Sequence, residues 1–238
     1  MIRKILKNRV SSSRVHLDRL NREFASKVPP GALVLDAASG SQLYRSLFDH
    51  ARYECADFEQ VDKYYQPSTY VCDLRAIPVE DARFDFVVFN QGLEHMAEPI
   101  AVLTELARVM KPGGRMICTA PLFYEEHEQP FDFFRYTQFA YREMLPKAGL
   151  TIESLDWMEG YFGTVAYQLE SAALYLPRGL LPSPLRVAFA LLARLFYRMD
   201  VAEKHTASGY PKNYVVIARK LTHGTEIPHL VPRSVIAC

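Results

Sequence analysis

At 238 residues, with 49% hydrophobic and 23% charged side chains, the chain has the size and composition of a globular protein that buries a full core. Its net charge of +1 gives no reason to expect a nucleic acid or another strongly charged partner. No apolar run reaches the roughly 18 residues of a membrane-spanning helix, and the cysteines are scattered as in a reducing compartment. We therefore expect a cytoplasmic protein rather than a disulfide-stapled or membrane-spanning one.

The first segment, residues 1–30, is basic and is predicted to be partly helical. Its lysines and arginines outnumber its two acidic residues, Asp18 and Glu23, and its N-terminus lacks the long apolar stretch of a secretory signal. Leu17 and Phe24 are among its apolar anchors. The prolines and glycine at 29–31 then predict a break before the first strand.

Residues 31–157 alternate between short apolar runs and longer amphipathic stretches. The runs at 33–36 and 84–91 end in polar or small residues, as buried parallel strands do when their carboxyl ends open onto a ligand crevice. The alternation predicts a parallel, doubly wound sheet with helices on both faces. The predicted strands are 32–36, 52–56, 69–72, 84–90, 115–120 and 151–157, and the predicted helices are 41–49, 97–110 and about 137–147, with a stop and turn at 111–114.

The pattern changes after Trp157. Residues 158–208 are apolar, helical in character and broken by prolines, so they predict a helical insertion or cap. A last strand follows at 214–218, which assigns residues 209–220 to the same domain as residues 31–157. Residues 221–238 have no clear periodicity, and we expect a flexible tail there.

Acidic residues stand where three of the predicted strands end: Asp36, Asp57 and Asp73. Asp57 lies about 20 residues after Asp36, the spacing at which an acid in a βαβ unit accepts hydrogen bonds from ribose hydroxyls. Gly40 allows backbone to approach a ligand closely after the first strand. Taken alone, Asp36 and its small-residue turn are equally typical of a plain strand-to-helix connection.

The order of these motifs resembles the type 11 group of class I S-adenosylmethionine (SAM) dependent methyltransferases over residues 31–157, with a last strand near 213–219. In that family an Asp-x-Gly-x-Gly-x-Gly turn follows the first strand, and here Ala38 and Gln42 replace two of the glycines. The resemblance is carried by Asp36, Asp57, Asp73, the pair at 84–85, the Leu-Glu-His at 93–95 and the Lys-Pro-Gly-Gly at 111–114.

This resemblance implies an α/β, Rossmann-like, seven-stranded and mostly parallel sheet, with a helical insertion before the last strand. It also implies SAM as the cofactor, with Asp73 accepting from the adenine amino group. The residues that we expect to bind the cofactor are Asp36, Ala38, Gly40, Asp57, Asp73, Leu74, Asn90 and Gln91.

The stretch 119–137 follows the fifth strand and should hang over the same crevice. It resembles a His-x-x-Pro-x-Asp-aromatic-aromatic-Arg-aromatic-Thr element of methyltransferases that are associated with surface polysaccharide or glycan modification. His127 is the first candidate for a general base, and Glu126 is an alternative. A structural Asp132–Arg135 pair and a helix cap at Thr137 are expected beside them.

The resemblance therefore implies methyl transfer to a small-molecule or glycan acceptor, which is lipid-linked in some cases, by O-methylation first of all. We expect no metal site and no nucleic-acid partner. Two other classes stay open. One is a SAM-binding protein without catalysis, suggested by the missing glycines, and the other is a nicotinamide-dependent oxidoreductase on a similar sheet.

The run at 185–199 is the most hydrophobic part of the chain. Placed on a helix, Arg186, Arg194 and Arg198 fall on one side of a wide apolar face. Such a helix can lie peripherally on the inner face of a membrane. Packing within the cap, cover of the active site and a dimer contact are alternatives.

Overall fold

The computed structural model describes residues 11–176, 184–203 and 210–222. Residues 1–10 of the basic segment and residues 223–238 of the expected tail lie outside the described residues. The elements in chain order are α1 (Ser12–Ser26), β1 (Leu33–Ala37), β2 (Arg52–Asp57), β3 (Tyr70–Val71), β4 (Phe84–Asn90), α2 (Pro99–Val109), β5 (Met110–Pro121), α3 (Gln138–Lys147), β6 (Leu150–Trp157), α4 (Tyr161–Tyr175), α5 (Pro184–Ala202) and β7 (Asn213–Lys220).

Seven strands form one sheet in the order β3-β2-β1-β4-β5-β7-β6. Neighbouring strands run parallel from β3 to β5, while β7 lies antiparallel to both β5 and β6. All five residues of β1 are buried, which explains why its sequence is an apolar run rather than an alternating one. The predicted Rossmann-like, mostly parallel sheet is confirmed.

The two faces of the sheet are covered by different helices. Leu35 and Phe89 lie in a cluster with α2 and α3, whereas Val34 and Val88 lie in a second cluster with Phe24 of α1. Successive residues of β1 and β4 therefore point to opposite faces, as the two-residue period of a strand requires. The helices on the two faces hold the sheet in place, so that the carboxyl ends of its parallel strands lie along one edge.

The predicted helix at 41–49 is wrong, because this segment forms only a single 3-10 turn, Arg45–Phe48. Gly40 and Gln42 have φ angles of 47° and 52°, in the left-handed region, which an α-helix cannot include. Phe48 is buried in the cluster that contains Phe24, so α1 covers this face of the sheet. The basic N-terminal segment thus takes the place of the expected helix.

The predicted turn at 111–114 lies inside β5 instead of before it. The pairing of β4 with β5 shifts between Phe84 and Phe86, so residues 111–114 form an irregular bulge. A Cβ on Gly114 would lie 2.9 Å from the carbonyl oxygen of Lys111 and 3.0 Å from that of Asp85, which explains the glycine there.

The insertion predicted at 158–208 contains α4 and α5, which pack against each other. Their crossing is close, because a Cβ on Gly163 would lie 2.5 Å from a carboxylate oxygen of Asp200 and 2.8 Å from the hydroxyl oxygen of Ser12. The cap is therefore in contact with α1 as well. Within the described residues, we find no helix that combines the length and the hydropathy needed to cross a membrane.

Candidate active site

Two adjoining clefts open at the carboxyl edge of the sheet. The larger, of about 420 Å³, is called the main cleft, and the smaller, of about 110 Å³, the side cleft. Because both are bordered by Ala38, Gln91 and His95, they form one continuous groove. The main cleft contains Asp36, Ala38, Gly40, Asn90, Gln91 and His127 among its lining residues, and the side cleft contains Asp57, Asp73 and Leu74.

Asp36 stands at the floor of the main cleft, where β1 approaches its end. Its carboxylate accepts a hydrogen bond from the hydroxyl of Tyr53 on the neighbouring strand β2. Burial raises the pKa of Asp36 to about 7, since a charge is poorly solvated there, and the nearby Asp57 carboxylate also raises it. A cationic group that entered the main cleft would favour the charged form of Asp36.

The turn after β1 keeps the backbone of a glycine-rich loop without its full set of glycines. Ala38, Gly40 and Gln42 all have left-handed φ angles, of 55°, 47° and 52°. Gln42 is held there because its amide nitrogen donates to the carbonyl oxygen of Pro67 at 3.0 Å, and its amide oxygen accepts from Arg45. The loop is therefore left-handed at all three positions where the family pattern has glycine, including the two that carry other residues here.

Asp57 connects this loop to the end of β2. One of its carboxylate oxygens accepts from the backbone amide of Gly40 at 2.8 Å, and the other accepts from the amide of Glu59 at 2.9 Å. Each oxygen retains a second lone pair that a ligand hydroxyl can use. Asp57 thus fixes the loop and also borders the side cleft.

Asp73 and Leu74 form the far end of the side cleft. The Asp73 carboxylate receives several hydrogen bonds from the guanidinium and the backbone amide of Arg75, and the guanidinium holds the pKa of Asp73 below its usual range. Leu74 is buried and offers an apolar surface. A flat ring with an amino group would meet both an acceptor and an apolar wall here.

Asn90 and Gln91 lie where β4 ends and both hydrogen-bond Thr119 of β5. The amide nitrogen of Asn90 also donates to the side-chain oxygen of Asn21 on α1 at 2.8 Å. The main cleft is therefore bordered by α1, whose Arg14 and Leu17 are among its lining residues. Neither Arg14 nor Leu17 was predicted to border the site, since nothing in the sequence of α1 shows what the helix packs on.

The loop between β5 and α3 is held by the Asp132–Arg135 pair. Two guanidinium nitrogens reach the two carboxylate oxygens at 2.6 and 2.7 Å, and this pairing lowers the pKa of Asp132 to about 2. Thr137 accepts from the amide of Ala140 as the cap of α3. Both structural roles expected from the sequence are confirmed.

His127 is placed in the main cleft by this loop. Its backbone amide donates to Asp132 at 2.8 Å, and its Nδ1 lies 3.2 Å from the Glu125 carbonyl oxygen and 3.3 Å from Oδ2 of Asp132. The rings of His127 and His95 contact each other edge to face, with centroids 4.7 Å apart. His127 therefore has a fixed ring beside a second imidazole.

Glu126, by contrast, is exposed and borders neither of the two clefts. Glu128 borders both, and its carboxylate is held by the ammonium of Lys63 at 2.7 Å. In an irregular loop the chain order does not indicate which acidic side chain turns inward. Of these two acidic side chains, Glu128 rather than Glu126 therefore lines the clefts.

Glu94 lies behind His95 and is fully buried. Its two carboxylate oxygens have no hydrogen-bond partner among the described residues. Burial raises the pKa of Glu94 to about 8, because the charged form is poorly solvated. Neither the sequence position nor the Leu-Glu-His motif revealed this isolation.

Lys212 closes the main cleft from the side of the cap. Its ammonium lies over the rings of Tyr124 and Tyr167, 4.6 and 4.3 Å from their centroids, and donates to the hydroxyl of Ser13. Lys212 was not predicted to border the cleft. It directly precedes β7, and the sequence does not show that β7 is antiparallel and therefore begins at the edge of the sheet that carries the clefts.

Comparison with known proteins identifies the domain. The family model described as a methyltransferase domain matches residues 35–118, which contain most of β1, all of β2 to β4 and most of β5. That range contains the left-handed loop, Asp57, Asp73 and the Glu94–His95 pair. The match therefore coincides with the edge of the sheet that carries the two clefts.

Two curated relatives are demethylmenaquinone methyltransferases. The protein of Bacillus licheniformis is 25% identical over 170 residues, which are 64% of this chain and 72% of that protein. The protein of Halalkalibacterium halodurans is 32% identical over 89 residues, which are 35% of this chain and only 34% of that protein.

Solved structures share the fold. The 1,6-didemethyltoxoflavin-N1-methyltransferase of Burkholderia thailandensis, solved with 1,6-didemethyltoxoflavin and S-adenosylhomocysteine, superposes with a TM-score of 0.54 at 14% identity. The superposition covers 89% of this chain and 79% of that one. At this identity the likeness establishes the architecture alone.

Proposed function

We propose that this chain, which belongs to the type 11 group of class I SAM-dependent methyltransferases, methylates a hydroxyl group of a small-molecule or glycan acceptor. The observation that carries the proposal is the position of His127, which borders the same cleft as Asp36 and Gly40. An imidazole beside the cofactor end of a cleft suits the removal of a hydroxyl proton during transfer.

The cofactor divides between the two clefts. Its adenosine part occupies the side cleft, where Asp57 accepts from ribose hydroxyls, Asp73 accepts from the adenine amino group and Leu74 contacts the ring. Its methionine part follows the left-handed loop past Ala38 and Gly40, near Asp36, Asn90 and Gln91. The lining of the clefts supports this division, because the acidic acceptors and the loop fall in that order along the groove.

The side chains of this protein contribute to the reaction by positioning the acceptor hydroxyl and by removing its proton. SAM supplies an electrophilic methyl carbon bonded to sulfur. When the acceptor oxygen bonds to that carbon, the sulfur–carbon bond breaks and the hydroxyl proton is released. With Nδ1 held by Glu125 and Asp132, the Nε2 atom of His127 can take this proton. Glu126, the alternative base, is exposed and borders neither of the two clefts.

A lipid-linked acceptor fits the outer surface of α5. Leu185, Leu191, Leu192 and Leu195 are each at least two-fifths exposed, and Arg198 is exposed beside them. An apolar stripe with a cationic edge can rest on an anionic membrane surface. Such peripheral contact would bring the main cleft close to lipid-borne substrates.

A second candidate is carbon methylation of a quinol, which is favoured by the names of the two curated relatives. The two candidates are separated by the product, because O-methylation consumes a hydroxyl and C-methylation retains it. Incubation with methyl-labelled SAM and either demethylated quinols or lipid-linked glycans, followed by mass spectrometry of the product, distinguishes them. Labelling of a quinol ring carbon would replace the hydroxyl proposal.

The first test is calorimetric titration with SAM and S-adenosylhomocysteine. Replacing Asp57 by Ala should weaken binding by about 1–3 kcal/mol, because a charged hydrogen-bond partner is lost. Asp49→Ala is the matched control, since Asp49 is exposed and borders neither of the two clefts. Equal affinities for the two variants would contradict the proposed cofactor site.

A further inference from the structure

Three side chains that can ligate a metal ion meet beside the main cleft. A carboxylate oxygen of Glu94 and one ring nitrogen each of His95 and His127 all lie within 4.8 Å of one another. His95 and His127 border the main cleft, and Glu94 lies directly behind them. We propose that these three residues bind a divalent transition-metal ion, a site that the sequence did not predict.

The first support is the isolation of Glu94. Its side chain is fully buried, and neither carboxylate oxygen has a hydrogen-bond partner among the described residues. A buried polar group without a partner is costly, by about 1–3 kcal/mol or more for a charged group. Nε2 of His95 lies 3.9 Å from Oε1 of Glu94, so an ion between them would satisfy both groups.

The second support is the orientation of the two imidazoles. Nδ1 of His95 lies 2.7 Å from the carbonyl oxygen of Phe131, and Nδ1 of His127 lies near Asp132 and the Glu125 carbonyl. A neutral imidazole that donates from Nδ1 leaves the lone pair of Nε2 available. Histidines that ligate metals are held in this way by carbonyl or carboxylate groups in most proteins.

The donor set decides the class of metal. Two imidazoles and one carboxylate suit zinc, manganese, iron or cobalt better than the all-oxygen cations calcium and magnesium. A carboxylate oxygen of Glu128 lies 3.9 Å from Nε2 of His95, so Glu128 can serve as a further ligand. Three protein ligands and an open position are typical of catalytic rather than structural metal sites.

The role of such an ion rests on the proposed function. An acceptor hydroxyl that entered the open position would bind the metal through its oxygen, which lowers the pKa of that hydroxyl. The oxygen would then bond to the methyl carbon as the sulfur–carbon bond breaks, while the proton passes to water. With the ion bound, His127 acts as a ligand, and binding of the hydroxyl to the metal replaces the proton removal by Nε2 of His127 that is described above for the metal-free site.

Cobalt is the probe, because Co²⁺ bound by nitrogen and oxygen ligands absorbs visible light. Tag-free protein is stripped with a chelator and titrated with Co²⁺ in the absence of SAM. We expect one ion per chain in the wild type, and an affinity reduced by about tenfold or more in Glu94→Gln and His127→Gln. His50→Gln is the control and should bind as the wild type does, because the His50 imidazole bonds the Val28 carbonyl and His50 borders neither of the two clefts.

Absence of a visible band, or equal affinity in the wild type and the Glu94→Gln/His127→Gln double variant, overturns the site. Titration with S-adenosylhomocysteine in the same samples separates the two proposals and reports on folding. Cofactor binding without cobalt binding leaves the methyltransferase proposal intact and removes the metal. Cobalt binding without cofactor binding removes the proposed function and leaves the site.

Discussion

His16 of α1 and Asp200 of α5 form a buried pair, with Nε2 and Oδ2 3.1 Å apart. The second oxygen of Asp200 accepts from the backbone amide of Gly160 at 2.7 Å, at the start of α4. One carboxylate therefore joins the N-terminal helix to both helices of the cap. Because α1 also borders the main cleft, this pair couples the cap to the walls of the active site.

Replacing Asp200 by Ala should lower the free energy of unfolding by about 3 kcal/mol, because breaking a buried pair leaves its partners unsatisfied. Asp49→Ala should change it by about 0.5 kcal/mol or less, as expected of an exposed site. Urea denaturation of both variants measures the difference. Equal midpoints would show that Asp200 does not stabilise the cap.

Stability without bound ligand should depend on the protonation of Asp36. Its pKa is about 7 in the folded chain against an ordinary value of 3.8, so the folded state holds a proton that the unfolded state loses. The stabilising contribution is therefore complete below pH 3.8 and is lost as the pH rises through about 7. The loss amounts to about 4 kcal/mol at 1.36 kcal/mol per pKa unit.

Asp36→Asn removes this titration. As the pH rises from 4 to 8, the free energy of unfolding of the variant should increase relative to that of the wild type, by an amount on the order of the loss given above. Urea midpoints at the two pH values measure it, and Asp49→Asn serves as the control. A constant difference across the range would place the raised pKa on another group.

Ala38→Gly tests the left-handed loop. A non-glycine residue in this region costs about 1–2 kcal/mol, and glycine costs about 0.5–1 kcal/mol in lost chain entropy. The substitution should therefore leave stability unchanged or raise it slightly. Ala101→Gly, on the exposed side of α2, should lower it by about 1 kcal/mol. Thermal melts compare the two, and an equal loss would mean that Ala38 is not strained.

Membrane contact through α5 should depend on its exposed leucines. The double variant Leu191→Ser/Leu195→Ser should float less with anionic vesicles, because apolar area and charge act together in interfacial binding. Phe139→Ser on α3 is the control, since Phe139 is also well exposed but lies outside the cap. Flotation that is unchanged in the leucine variant and also unchanged in Arg194→Ala/Arg198→Ala would remove the membrane proposal.

The sequence predicted the sheet well, because each central strand is a continuous apolar run. The prediction for β4 matches the structure, and that for β1 differs by one residue. The failure at 41–49 has a local cause, since the left-handed conformation of Gln42 depends on its bonds to Pro67 and Arg45. Side-chain hydrogen bonds of this kind leave no periodic signal in the sequence.

The site was predictable where it follows strand ends and not where it depends on packing. Asp57 and Asp73 stand at strand ends, so their common edge follows from topology. Arg14 and Lys212 reach the main cleft from elements whose placement only the structure shows. The isolation of Glu94 arises because the chain around it supplies no donor to its carboxylate.

The antiparallel direction of β7 has a consequence for how new specificities arise. Parallel strands deliver only their carboxyl ends to the ligand edge, but β7 begins there, so that the segment between β6 and β7 leaves from and returns to the rim of the main cleft. Substitutions in that segment would therefore alter the rim of the main cleft while the loop after β1 stays untouched.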